Sequence, residues 1–368
     1  GCPLPYPRRR RAVHVLCFDG GGVRGLASVT VLQHVMDAVR AASGEPDLEP
    51  GELFDVLAGT STGGIISLAS AVGFSCEETA GIYRECAREV FKQDMSQSML
   101  RNGFGWQNTR QFEAVLRRYL GSVVDAPLSN TLWGAGSRGP GARRPHVCLV
   151  STLTSRDPTA TYVLRNYAPA GWRRDLQLMP GTHRATLLQS IRATSAAPLV
   201  MEELAFRWDV TRGASSPQGA PSPAEVPSTV RFIDGGIACN NPTDVAISEA
   251  RRLYGRDAPL VVVSVGTGSA LPRETVPSSR LLPSWLLSAY NATGDVAQKD
   301  ATVRALLGPG DTYVRFQPTG EAFAVQINDS SEKSLEGLRR GAHAYMRQQR
   351  AVVARLAETL AASLRGDG

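Results

Sequence analysis

Leu53-Phe54-Asp55-Val56-Leu57-Ala58-Gly59-Thr60-Ser61-Thr62-Gly63-Gly64-Ile65-Ile66-Ser67-Leu68-Ala69 decides the fold class. The residues up to Ala58 read as a strand and those from Ile65 as a helix. Between them, Gly59 to Gly63 has the Gly-x-Ser-x-Gly spacing of a nucleophile elbow. In such a turn small neighbours tolerate the tight backbone, and the amides that follow point toward an anion formed beside the hydroxyl. Ser61 is therefore a candidate nucleophile. The alternative for so short a motif is a glycine-rich turn with a solvated serine.

Upstream, Val13 to Phe18 reads as a buried strand running into Asp19-Gly20-Gly21-Gly22-Val23-Arg24-Gly25, with a helix from Leu26 to about Arg40. Strand, glycine turn and helix present unpaired amides and a positive helix end to an anion. Gly20, Gly22 and Gly25 match the Gly-x-Gly-x-x-Gly of dinucleotide-binding turns. The carboxylate expected roughly 20 residues further on finds no good candidate in Glu45, Asp47 or Glu49. The second anion that fits is the tetrahedral oxyanion of acyl transfer, and a serine elbow in the same chain favours it. Downstream, Val230-Arg231-Phe232-Ile233-Asp234-Gly235-Gly236 is another apolar run ending in an acid and two glycines. Asp234 can accept a serine proton from a strand end, or close an Asx turn on its own backbone.

Taken together, the glycine turn at Asp19 to Gly25, the elbow Gly59 to Gly64 and Asp234-Gly235-Gly236, in this order and spacing, resemble the patatin-like phospholipase family. Arg192 to Pro198, Asn240-Asn241-Pro242 and Val261 to Gly268 look like the same family. The resemblance implies an α/β fold, a mainly parallel central sheet flanked by helices in a patatin-like three-layer sandwich. It implies a Ser-Asp dyad in which Ser61 attacks the ester carbonyl, Asp234 accepts and returns its proton, and the amides of Gly20, Gly21 and Gly22 hold the oxyanion. Arg24 matches the family's arginine, either fixing the glycine loop or adding positive charge; Gly25, Gly59, Gly63, Gly235 and Gly236 support the turns. The implied activity is calcium-independent hydrolysis of phospholipid or lysophospholipid esters through an acyl-enzyme, with no cofactor and no metal. A lipid transacylase and a non-catalytic lipid-binding protein on the same fold are the alternatives.

Of five histidines, His343 alone follows Asp234 in the serine, acid, histidine order of α/β-hydrolases. It sits in an Arg-rich helical stretch with no turn to present the ring, while His14, His34 and His146 read as packing or surface residues. An aspartate of ordinary pKa, about 3.9, is a poor base for a serine hydroxyl unless the site is desolvated. Stabilisation of the oxyanion by the glycine turn must then carry much of the barrier lowering.

With 368 residues, 42% of them hydrophobic, the chain can bury a substantial core. The motifs spread from Asp19 to Asp234 leave no room for a linker, so a single domain over 13–365 is expected behind a basic tail at 1–12 containing Arg8 to Arg11. The net charge of +6 suits a solvated tail, or attraction to an anionic membrane surface. Nucleic acid is not expected, because no zinc-finger, RNA-binding or helix-turn-helix signature accompanies the charge. The expected partners are a phospholipid or other glycerolipid and, peripherally, an anionic membrane. No run of about 18 apolar residues is present, nor a secretory apolar region, so a cytoplasmic, peripherally membrane-associated protein is expected. Six cysteines without a Cys-x-x-Cys pair read as reduced and structural.

Strands are predicted at 13–18, 53–58, 146–153, 160–166, 230–233 and 259–265, and helices at 26–40, 62–72, 76–92, 109–119, 184–194, 243–254 and 332–364. This alternation gives a mainly parallel sheet covered by helices, with functional residues beyond strand ends. Gly/Pro/Ser-rich segments near 134–145 and 211–227 read as surface insertions. Leu281 to Tyr290, with Trp285, reads as core helix or as an interfacial patch.

Overall fold

The computed structural model describes residues 11–90, 105–131, 145–168, 179–198, 200–206, 229–270 and 296–364. In chain order its elements are β1 (Val13–Phe18), α1 (Gly25–Ser43), α2 (Pro50–Leu53), β2 (Val56–Thr60), α3 (Thr62–Ala71), α4 (Cys76–Glu89), α5 (Trp106–Leu120), α6 (Leu128–Thr131), β3 (His146–Leu153), β4 (Ala160–Arg165), β5 (Gly181–Thr182), α7 (Leu187–Ser195), β6 (Leu204–Phe206), β7 (Val230–Asp234), α8 (Gly236–Cys239), α9 (Thr243–Tyr254), β8 (Leu260–Val265), α10 (Val296–Leu306), β9 (Thr312–Phe316), α11 (Glu332–Gln348) and α12 (Arg350–Leu364).

β1 is buried at every position, as a central strand covered on both faces must be. Leu16 and Phe18 enter one core with side chains of α1, α3, α4, α11 and α12, while Val13, Val15 and Cys17 enter another with α9 and Val303 of α10. The sheet is thus the middle of three layers. Five strands run parallel in the order β3, β2, β1, β8, β9. β4 and β7 lie antiparallel to β3, β5 runs parallel beside β4, and β6 pairs antiparallel with β7. The α/β class and the mainly parallel sheet flanked by helices agree with the sequence reading.

One register positions the site. β4 pairs along β3 from Cys148 to Leu153, which leaves a single free edge for two strands. β2 takes that edge up to the Thr60–Val150 pair, and β7, running the opposite way, takes it from Asp234–Ser151 onward. The C-terminal ends of β2 and β7 therefore meet head to head, bringing the residue after Thr60 against Asp234.

Several boundaries differ from the sequence reading. Leu53, read as the first residue of a strand over 53–58, instead ends a helical turn at Pro50–Leu53, and the strand starts at Val56, because Pro50 suits the first helical position and Glu49 and Glu52 close a reciprocal capping box. β9 was not expected. The helix predicted over 332–364 is interrupted at Gln349, whose amide is shared between the Tyr345 and Met346 carbonyls, the bifurcated pattern of a helix end. The tail up to Arg10, the segments at 134–144 and 211–227, and the apolar stretch at 281–290 lie outside the described residues.

Candidate active site

Among the described residues, Ser61 is the one non-glycine residue at positive φ (φ 54°, ψ −121°). Such a conformation persists only where its surroundings over-determine it. Here the Ser61 amide donates to Thr194 Oγ1 at 2.8 Å, and the Thr194 hydroxyl donates in turn to the Val150 carbonyl. The Ser61 carbonyl accepts the Gly64 and Ile65 amides at 2.9 and 3.2 Å, starting α3. Gly63 lets α3 lie against β1, since a Cβ there would stand 2.3 Å from the Phe18 carbonyl oxygen. Gly59 backs onto Gly63, and Gly235 packs on the Val150 carbonyl.

Ser61 Oγ donates to Asp234 Oδ2 at 2.5 Å, and Asp234 Oδ1 accepts the Gly236 amide at 2.7 Å. Asp234 is fully buried. Burial pushes its carboxyl up to about 6, against the opposing pull of the hydrogen bonds from Ser61 and Gly236. The local Asx-type contact and the contact to serine are both present, one on each oxygen.

The glycine turn lies beside this pair. Its amides are unequally committed: Gly20 donates to the Asn240 carbonyl at 3.2 Å, Val23 to the Ile327 carbonyl at 2.9 Å and Arg24 to the Gly21 carbonyl at 3.2 Å. The amides of Gly21 and Gly22 carry no partner among the described residues. Two open amides suit one anionic oxygen better than a pyrophosphate, and Gly20, included in the sequence-based oxyanion set, spends its donor on the backbone. Gly22 sits at φ +59°, where a Cβ would be 2.1 Å from the Ile327 carbonyl oxygen. Asp19, the first residue of the turn, is held by Arg315 of β9 through bonds of 2.9 and 2.5 Å. Arg24 Nε reaches the Gly21 carbonyl at 3.4 Å, which fits the loop-fixing role. Gly25 packs under Thr62 and Tyr83.

Ser61, Asp234 and Gly22 border a cavity whose walls include the apolar Val23, Ile65, Ile82, Phe112, Val200 and Met201, with Thr62 and Tyr83 also on its lining. An apolar cavity with a few convergent polar groups is the usual form of a small-molecule site. None of the histidines lines it. His343 bonds His34 at 2.9 Å, His14 bonds Leu53 and Ser363, and His146 bonds Tyr254. Among the described residues no cluster of three or more His, Cys, Asp or Glu could hold a metal ion.

The sequence reading missed Thr194, Thr62, Tyr83, Ile327 and Arg315. Thr62 and Thr194 lie within quoted motifs, but all five act through contacts between distant segments, which no local signal reveals.

A family model for patatin-like phospholipases matches residues 16–247. The chain belongs to the patatin-like phospholipase family. Curated relatives of this patatin-like chain include a calcium-independent phospholipase A2-gamma of Oryctolagus cuniculus, 26% identical over 96% of the chain and 40% of the relative. Another is an 85/88 kDa calcium-independent phospholipase A2 of Mus musculus, 30% identical over 71% of the chain and 28% of the relative. The chain therefore spans about two fifths or less of the length of these relatives. A solved structure of human GIVD cytosolic phospholipase A2 is matched at 12% identity with a TM-score of 0.47, over 95% of this chain and 60% of that one.

Proposed function

We propose that this patatin-like chain is a serine hydrolase of phospholipid or lysophospholipid esters, with Ser61 as nucleophile and Asp234 as its base. The observation that carries the reading is the 2.5 Å bond from Ser61 Oγ to a fully buried carboxylate beside an apolar cavity. An acyl chain in that cavity would bring its ester carbonyl to Ser61. As Ser61 Oγ attacks, its proton passes to Asp234 and the carbonyl oxygen becomes an oxyanion beside the Gly21 and Gly22 amides. Collapse breaks the ester bond, Asp234 returns the proton to the departing alcohol, and the acyl group stays on Ser61. Water then attacks the acyl-enzyme with Asp234 taking its proton, and release of the fatty acid restores the hydroxyl.

A carboxyl near 6 is closer to working pH than an ordinary aspartate, so the proton transfer is better matched than the sequence alone suggests. Calcium has no step in this chemistry. The site elements are spread over one sheet, which supports a single domain over 13–365. A membrane face is the proposed source of the lipid, and the net charge of +6 favours an anionic one; cytoplasmic placement belongs to the same proposal. No helix among the described residues is long and apolar enough to cross a membrane.

The test is release of fatty acid from phospholipid and lysophospholipid vesicles with calcium chelated. Wild-type release that Ser61→Ala and Asp234→Asn both abolish is expected. Release that survives either substitution would sink the dyad.

A further inference from the structure

Tyr83, on α4, is buried at the inner side of the elbow and has no part in the chemistry above. Its hydroxyl lies 2.7 Å from Thr62 Oγ1 and 2.6 Å from the Thr62 carbonyl oxygen. Thr62 follows the nucleophile, and its own hydroxyl reaches across to the Gly22 carbonyl at 2.9 Å. Two hydroxyl protons thus serve three contacts. When Thr62 donates to Gly22, Tyr83 donates to one of the two Thr62 oxygens. Burial pushes the Tyr83 phenol up from its ordinary value, so the phenol is neutral and keeps its proton as a donor.

Among the described residues, the chain Tyr83 to Thr62 to Gly22 is a direct side-chain link between the two halves of the site. One half carries the nucleophile, the other the open amides. Gly25 leaves room for it: a Cβ there would stand 2.6 Å from Thr62 Oγ1 and 2.9 Å from Tyr83 Cε1. The Gly22 carbonyl also accepts the Gly25 amide and the Val23 amide of the same peptide is held by Ile327, but on the amide side Gly22, at positive φ, has no partner among the described residues.

We infer that Tyr83 is a positioning residue that acts through Thr62, setting the distance between Ser61 and the Gly21–Gly22 amides. This rests on the proposed hydrolase reading of the same site. Loss of the Tyr83 hydroxyl lets Thr62 and the Gly22 peptide relax, and the donors then miss the place where charge develops. Thr62 and Tyr83 also border the cavity, but Tyr83→Phe keeps the ring and Thr62→Val the methyl group, so the fault appears in the chemical step more than in the binding of the acyl chain.

The test uses p-nitrophenyl butyrate, with the fraction of competent sites titrated by a fluorophosphonate. Tyr83→Phe keeps the ring and removes the hydroxyl. Its kcat per titrated site is expected to fall by about ten- to a hundredfold with KM little changed, the size of loss that small misplacements produce. Thr62→Val should match it, Thr62→Ser should restore turnover, and the double variant should be no worse than Thr62→Val alone, as for residues acting in one network. Wild-type kcat per titrated site in Tyr83→Phe, even with lower thermal stability, would overturn the inference, as would losses that multiply in the double variant. Should Tyr83→Phe fail to fold, the Thr62→Val and Thr62→Ser pair decides alone: equal kcat in the two overturns it. Turnover in Ser61→Ala would mark failure of the hydrolase reading itself.

Discussion

Ser61 Oγ and Asp234 Oδ2 meet at 2.5 Å because β2 and β7 end against adjacent residues, Val150 and Ser151, on one edge of β3. The contact between the two residues is thus a product of strand register. A shift of one residue in either strand would turn the side chains to opposite faces.

The pH dependence of turnover follows from Asp234. Its carboxyl, pushed up to about 6 by burial, must be ionised to accept the serine proton. With p-nitrophenyl butyrate, kcat/KM should be level above about pH 7 and fall through an apparent pKa near 6 as pH drops. A profile level down to pH 4.5 would contradict a carboxylate base in this environment.

Stability carries the opposite sign. A carboxyl whose folded pKa is raised binds more protons in the fold than in the unfolded chain, so wild-type stability falls as pH rises from about 4 to about 6. Asp234→Asn cannot ionise. Urea unfolding should show it more stable than wild type at pH 8, by at most about 3 kcal/mol, with the difference vanishing below about pH 4. A variant less stable at pH 8 would mean that the Ser61 and Gly236 bonds outweigh the burial of charge.

Gly22→Ala should abolish turnover while leaving a folded protein. The new Cβ collides with the Ile327 carbonyl at 2.1 Å in a backbone conformation at φ +59°, displacing a peptide whose amide is proposed to donate to the oxyanion. A loss of at least about a hundredfold in kcat is expected, with roughly 1 to 3 kcal/mol of destabilisation. Near-normal kcat would remove Gly22 from the oxyanion site.

Behind the sheet, Arg165 and Glu249 are almost fully buried and joined at 2.8 and 2.7 Å, with the Tyr167 hydroxyl on the same carboxylate at 2.6 Å. Burial alone would raise the Glu249 pKa, but these bonds hold it below its usual value. Removing one partner, as in Arg165→Met, should cost about 3 to 5 kcal/mol, and the double Arg165→Met, Glu249→Met variant much less. Equal costs for single and double variants in urea unfolding would contradict this coupling.

The parts of the site legible in the sequence are those built from local turn chemistry. Gly59 to Gly63 and Asp19 to Gly25 announce themselves because a tight strand-to-helix turn accepts few residue types. Asp234 is legible from its place at a strand end before two glycines. The Pro50–Leu53 turn also had a signal, a proline flanked by the reciprocal acids Glu49 and Glu52, masked by the apolar Leu53-Phe54. β9 had little: Thr312 to Phe316 is short, mostly half-buried, and carries Arg315, a residue that reads as surface until Asp19 is found opposite it. Thr194 and Tyr83 reach Ser61 and Thr62 from other elements, a kind of contact that periodicity does not encode.

The covalent step can be observed by quenching the protein in acid during turnover of a phospholipid carrying an isotope-labelled acyl chain and mapping the label by peptide mass spectrometry. The label should be found as an ester on Ser61, and should be absent in Ser61→Ala. Sustained fatty-acid release with Ser61 unlabelled, or with label on another residue, would contradict the assignment of Ser61 as the nucleophile.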